Sequence, residues 1–216
     1  YFLSGFIISN VGYSQTYSDS SYDYVKAFET AFYSSPSTEI RSASGKPGYK
    51  YWQNRADYII DVELDTLSDI IMGKEIIKYT NNSPDELDFL WLHLDQNAFK
   101  NDSKGNAVIP LRGSRSGTKG QKLDGGFKIS AVQVISGKGR DRTIEDAEHE
   151  VYGTRMKVNL PQTLKPNGGE VSLKIDFSFL SPNYGSDRMG IVETQNGKIY
   201  SIAQFHPRMC VYDDLN

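Results

Sequence analysis

The side chains able to do chemistry in this 216-residue chain are few and widely spaced. It has three histidines, His93, His149 and His206, and a single cysteine, Cys210. His149-Glu150 opens like the zinc motif H-E-x-x-H, yet Gly153 stands where the second histidine is needed. Two imidazoles four apart share a helix face and can hold one metal ion; a single imidazole cannot. The surrounding stretch 143–150 reads as an acidic turn or short helix ahead of a strand, with His149 solvated. Gly137-Lys138-Gly139 opens like a dinucleotide loop, but Arg142 replaces the last glycine of that pattern and no helix follows. Asp213 and Asp214, being adjacent, would face opposite sides of a strand and so make a poor acid pair. One cysteine makes neither an internal disulfide nor a thiolate metal cluster, and Cys210 reads as a buried thiol. The chain thus shows no catalytic residue and no metal site.

The elements that must position these groups are strands. Tyr58, Ile60, Val62 and Leu64 alternate with Asp61, Glu63 and Asp65, the period-2 pattern of a half-buried strand. After Gly73, read as a bend or bulge, Glu75, Ile77 and Tyr79 share one face. The stretch 89–94 is apolar on both faces and reads as a central strand buried from each side. Asn81-Asn82-Ser83-Pro84-Asp85 is turn chemistry. In the second half Met156, Val158 and Leu160 alternate until Pro161 stops them. Val171, Leu173, Ile175, Phe177 and Phe179 then form the cleanest alternation in the chain. Asn167-Gly168 and Asn196-Gly197 mark turns, the second leading into a strand over 199–205. At least eight strands without a long helix predict an all-β fold, an antiparallel β-sandwich with long surface loops.

Composition narrows the function classes. A net charge of -3 with scattered lysines and arginines gives no footprint for nucleic acid. Fourteen tyrosines and ten phenylalanines suit pleated, half-buried surfaces. The apolar opening, followed by small residues before Gln15, reads as a signal-peptide remnant over 1–14, and no stretch is long enough for a membrane span. Residues 15–50 read as an extended lead-in, rich in Ser and Tyr, with a possible short helix at 26–33. The interval 100–126 reads as a surface insertion, and its cluster Arg112, Arg115, Lys119 and Lys122 as a solvated loop rather than an anion grip.

Over 51–216 the order of landmarks resembles the opening of the aminopeptidase N family, gluzincin zinc metallopeptidases, in their secreted bacterial branch. The landmarks are Tyr51-Trp52-Gln53, the aspartate-flanked strand, Gly73 and its strand, Tyr79-Thr80-Asn81-Asn82-Ser83, and Leu90-Trp91-Leu92-His93-Leu94-Asp95-Gln96-Asn97. The resemblance implies a saddle-like N-terminal β-sandwich beside a separate catalytic domain of the same polypeptide, with zinc in that domain and none in this chain. It implies a secreted or periplasmic location and a peptide substrate.

In that family the segment resembling Ala203-Gln204-Phe205-His206-Pro207-Arg208 reaches the active-site cleft. There a glutamine and, two positions on, a glutamate or glutamine help bind the peptide's free amino terminus. The resemblance therefore implies substrate-binding roles for Gln204 and His206. Residues two apart on a strand face the same side, so the two can address one ligand. His206 departs from the pattern: an imidazole accepts a hydrogen bond only while neutral and repels an ammonium once protonated. The expected function is a non-catalytic wall of the peptidase cleft. The alternative is an independent secreted β-sandwich module that binds protein or glycan.

Overall fold

A computed structural model describes residues 37–104, 125–137, 140, 142–181 and 189–214. The signal-peptide remnant, the 26–33 helix, the basic cluster of the 100–126 insertion and most of the loop after Ser181 lie outside the described residues. The chain divides into two units, Tyr1–Tyr51 and Trp52–Asn216. In the first, residues 37–51 close on themselves. Thr38 Oγ1 accepts the Ile40 and Arg41 amides at 3.2 and 2.9 Å, and Arg41 bridges to Pro47.

The second unit is all-β and antiparallel. Its strands are β1 (Arg55–Asp65), β2 (Ile70–Asn81), β3 (Leu87–His93), β4 (Lys128–Ser136), β5 (Thr143–Asp146), β6 (His149–Tyr152), β7 (Arg155–Leu164), β8 (Gly169–Leu180), β9 (Met189–Thr194), β10 (Gly197–Ile202) and β11 (Arg208–Met209). A 3-10 turn, Asp95–Phe99, follows β3. The sheets are a five-stranded β1-β2-β8-β4-β5, a four-stranded β11-β3-β7-β6 and the hairpin β10-β9. One core joins the two larger sheets: Ile71, Ile77, Val134, Leu173, Ile175 and Phe179 from the first, Leu90, Leu92, Met156 and Val158 from the second. Every second residue of β8 from Val171 to Phe179 is buried, as its alternation predicts.

Local chemistry sets the corners. Asn167 and Gly168 take φ of 54° and 106°, the left-handed region that Asn and Gly tolerate. Buried Asn81 ties that turn to its own: its amide donates to Asp85 O at 2.8 Å and Lys165 O at 3.1 Å, and its carbonyl accepts Gly168 N at 2.7 Å. The hairpin β9–β10 is moored to the turn before β2, where Lys198 Nζ and the Tyr200 hydroxyl both reach Asp69 Oδ1, at 2.8 and 2.5 Å.

Several sequence expectations change. Gly73 is neither bend nor bulge, since β2 pairs in unbroken register with β1 and β8 through it. Its role is close approach: a Cβ there would lie 2.3 Å from Phe177 Cζ. Pro161 does not stop β7. It lies where the β3–β7 register shifts, a place where a missing N–H is tolerated. Residues 143–150 form neither turn nor helix; β5 joins the five-stranded sheet and β6 the four-stranded one. The β3 strand is buried on one face only: on the other, Phe89 is 42% exposed, with the Lys157 ammonium over its ring at 4.4 Å from the centroid. Residues 203–207 are not strand, so β10 ends at Ile202 and β11 starts at Arg208.

Candidate functional site

The connection 203–207 carries Gln204 and His206, and a buried glutamine shapes it. Gln96, in the 3-10 turn, donates its side-chain amide to Ala203 O and Gln204 O, both at 3.0 Å. With both carbonyls turned to one donor, the chain leaves the extended conformation. Gln204 takes φ of 54°, uncommon for a residue with a Cβ, and its side chain is exposed. The same-face argument for a strand therefore does not hold for Gln204 and His206.

Instead His206 turns inward to an acid. Its Nδ1 lies 3.1 Å from Glu75 Oε2 and 2.9 Å from Pro207 O. A backbone carbonyl only accepts, so Nδ1 carries the proton and donates to both, which leaves Nε2 free to accept while the ring is neutral. Aromatic edges hold the ring: Tyr58 at 5.3 Å and Phe205 at 5.1 Å between centroids. The Tyr58 hydroxyl accepts Met209 N–H at 2.9 Å, and Arg208 Nη2 meets Asp95 Oδ2 at 2.6 Å, so the segment after His206 is pinned on both sides. Burial pushes the Tyr58 hydroxyl pKa up.

Glu75 is the residue the sequence reading did not single out. It sits on the core face of β2 between Gly73 and Ile77 and is 1% exposed. Its Oε1 has no hydrogen-bond partner among the described residues. Burial raises its carboxyl above the ordinary range, and the hydrogen bond from His206 opposes the rise. The signal was present: an acid on an otherwise apolar strand face is expensive unless partnered. What the sequence lacks is any pointer to the partner.

The remaining candidates are dispersed. His93 is on the outer face of β3 near Arg155. His149 is exposed on β6, its Nδ1 3.1 Å from Ala147 O. Gly153 lies in the turn after that strand, so the helix spacing of the zinc motif has no counterpart. Cys210 is half-buried, with its thiol pKa raised by burial. Asp213 and Asp214 follow β11 outside any strand. Among the described residues no three metal-capable side chains form a group, and the histidines found there do not assemble a zinc set.

Chemically, the site is an imidazole oriented by a buried carboxylate, next to an exposed amide. Such a pair presents one directed acceptor, its tautomer and orientation fixed by the acid behind it. Fold and site together define an antiparallel all-β domain with an acid–imidazole pair where its last hairpin ends. Compared with protein-family models and with curated proteins, the chain matches none.

Proposed function

We propose that this chain is the non-catalytic N-terminal β-sandwich of a secreted zinc metallopeptidase of aminopeptidase type, walling the substrate cleft. In this reading Gln204 and His206 help bind the peptide's amino terminus, and zinc belongs to the catalytic domain of the same polypeptide. The observation that carries the reading is the His206–Glu75 contact. A peptide ammonium offers three donors and needs acceptors. The departure at His206 from a carboxylate or amide is offset by an acid supplied from β2: with Nδ1–H given to Glu75, neutral Nε2 accepts, and the exposed side-chain oxygen of Gln204 offers a second acceptor.

The test compares zinc content and aminopeptidase activity of the 216-residue chain with those of the polypeptide extended along its reading frame past Asn216. Zinc and activity in the longer form alone support the reading. Stoichiometric zinc in the shorter chain, or neither property in the longer, overturns it. The second reading, an independent secreted module that binds protein or glycan, is favoured by a largely apolar groove of about 640 Å³ beside β3.

A further inference from the structure

The groove beside β3 has a backbone feature that selects its occupant. The β11 strand covers only the last part of β3, opposite His93 and Leu92, and one more bond runs from Cys210 N to Trp91 O at 2.8 Å. Beyond Cys210 the chain turns away. Val211 is 76% exposed, the Tyr212 hydroxyl donates to Asp85 Oδ2 at 2.7 Å, and the Tyr212 ring leans on Trp52 at 5.4 Å. Among the described residues no strand lies opposite Phe89 on this side.

The direction of the Phe89 backbone groups follows from the ladder. Phe89 is opposite Asn159 of β7, but Asn159 N donates to Glu148 O at 2.9 Å, away from β3. Opposed residues of an antiparallel pair alternate between bonded and non-bonded positions, so Phe89–Asn159 is a non-bonded pair. The N–H and C=O of Phe89 therefore point to the same side as those of Trp91, into the groove. No hydrogen bond reaches them among the described residues.

We propose that this edge takes an extended peptide segment of a partner protein as an added strand, antiparallel to β3, continuing the course that β11 abandons. Alternate side chains of such a strand fall on the ring surface of Phe89 and Trp91, which stand edge to face at 6.4 Å, and into the apolar hollow lined by Tyr79, Leu90 and Met209. Charge sets the direction. Glu86 and Asp88 line one end of the groove, Arg155 and His93 the other. A strand antiparallel to β3 starts beside Cys210, where β11 ends, and meets Glu86 and Asp88 with its last residues, so the fitting segment is apolar, then basic. This site is separate from His206 and does not rest on the peptidase reading.

The test uses the full chain and two capped hexapeptides, Glu-Thr-Val-Thr-Val-Lys and the charge-reversed Lys-Thr-Val-Thr-Val-Glu. The readout is emission from the chain's two tryptophans, Trp91 in the groove and Trp52 behind its wall. The peptide ending in lysine saturates. N-methylating the probe amides that face Phe89 weakens binding about tenfold, and N-methylating the alternate amides leaves it within about twofold. Glu86→Lys weakens binding about threefold, and exchanging the probe's lysine for glutamate recovers that loss. Phe89→Pro, which removes an N–H that β7 does not use, abolishes binding with the fold retained. The proposal is overturned by no saturation up to about 1 mM probe, by equal loss in both N-methyl series, or by self-association that Phe89→Pro dissolves. The last result would assign the edge to a second copy of the chain.

Discussion

His206 Nδ1 lies 3.1 Å from Glu75 Oε2, joining residues 131 positions apart, and Glu75 Oε1 has no hydrogen-bond partner among the described residues. A buried carboxylate with one oxygen satisfied is a costly group, and it couples folding to protonation.

The coupling has a definite sign. Burial raises the Glu75 pKa, and the His206 hydrogen bond offsets this only in part. Between the ordinary glutamate value and the raised one, the folded protein holds a proton that the unfolded chain has released. This contribution to stability is complete below the ordinary value and is lost as pH rises through the folded-state value. Glu75→Gln keeps the shape and removes the titration. Urea melts from about pH 4 to about pH 8 should show a decline in wild type that the variant lacks; parallel curves refute the coupling.

Placing a carboxylate at position 206 should damage the fold. His206→Glu puts two acids within contact and removes the donor to Glu75. The expected loss is about 3 kcal/mol at neutral pH, smaller in acid where one carboxyl is protonated. Chemical denaturation at two pH values measures it, and an unchanged midpoint at neutral pH would contradict the geometry.

Gly73 is held by space, not by turn geometry. Gly73→Ala drives a methyl into the Phe177 ring, which itself packs edge-on to Phe127 at 5.5 Å. The variant should lose about 1–3 kcal/mol. Phe177→Leu in the same chain should recover part of that loss, although Phe177→Leu alone destabilises. Simple additivity of the two in a thermal-denaturation cycle would refute the close-approach account.

Asn54 organises the 81–85 turn from a distance. Its Oδ1 accepts the Asn82 amide at 2.7 Å, and its Nδ2 donates to the Tyr79 hydroxyl at 2.8 Å. Burial pushes the Tyr79 pKa up to about 12, with the Asn54 bond working against the rise. Asn54→Ala should cost about 2 kcal/mol and move the slowest-titrating tyrosine to still higher pH. Absorbance titration of the phenolates resolves that shift, and a lower pKa would reverse the assigned role of Asn54.

The sequence by itself determined the longer strands and, in β2 and β8, the face each buries. Alternation in β8 and β2 is a local signal, because successive side chains of a strand point to opposite sides whatever the strand pairs with. The Asn167-Gly168 and Asn196-Gly197 turns were legible for the same reason, since backbone freedom is a property of the residue. The alternation of β2 also puts Glu75 on the face it shares with Ile77 and Tyr79, without singling it out. Only the tertiary structure decided what Glu75 meets. The partner arrives on a connection that Gln96 bends out of the extended form, and that bond exists only after two sheets have stacked. Tertiary packing alone also decided that Phe89 of β3 stays 42% exposed, because burial depends on which elements come to rest above a strand. Hydrophobic pattern records what a side chain prefers; which distant group satisfies it is set by the closure of loops around a shared core.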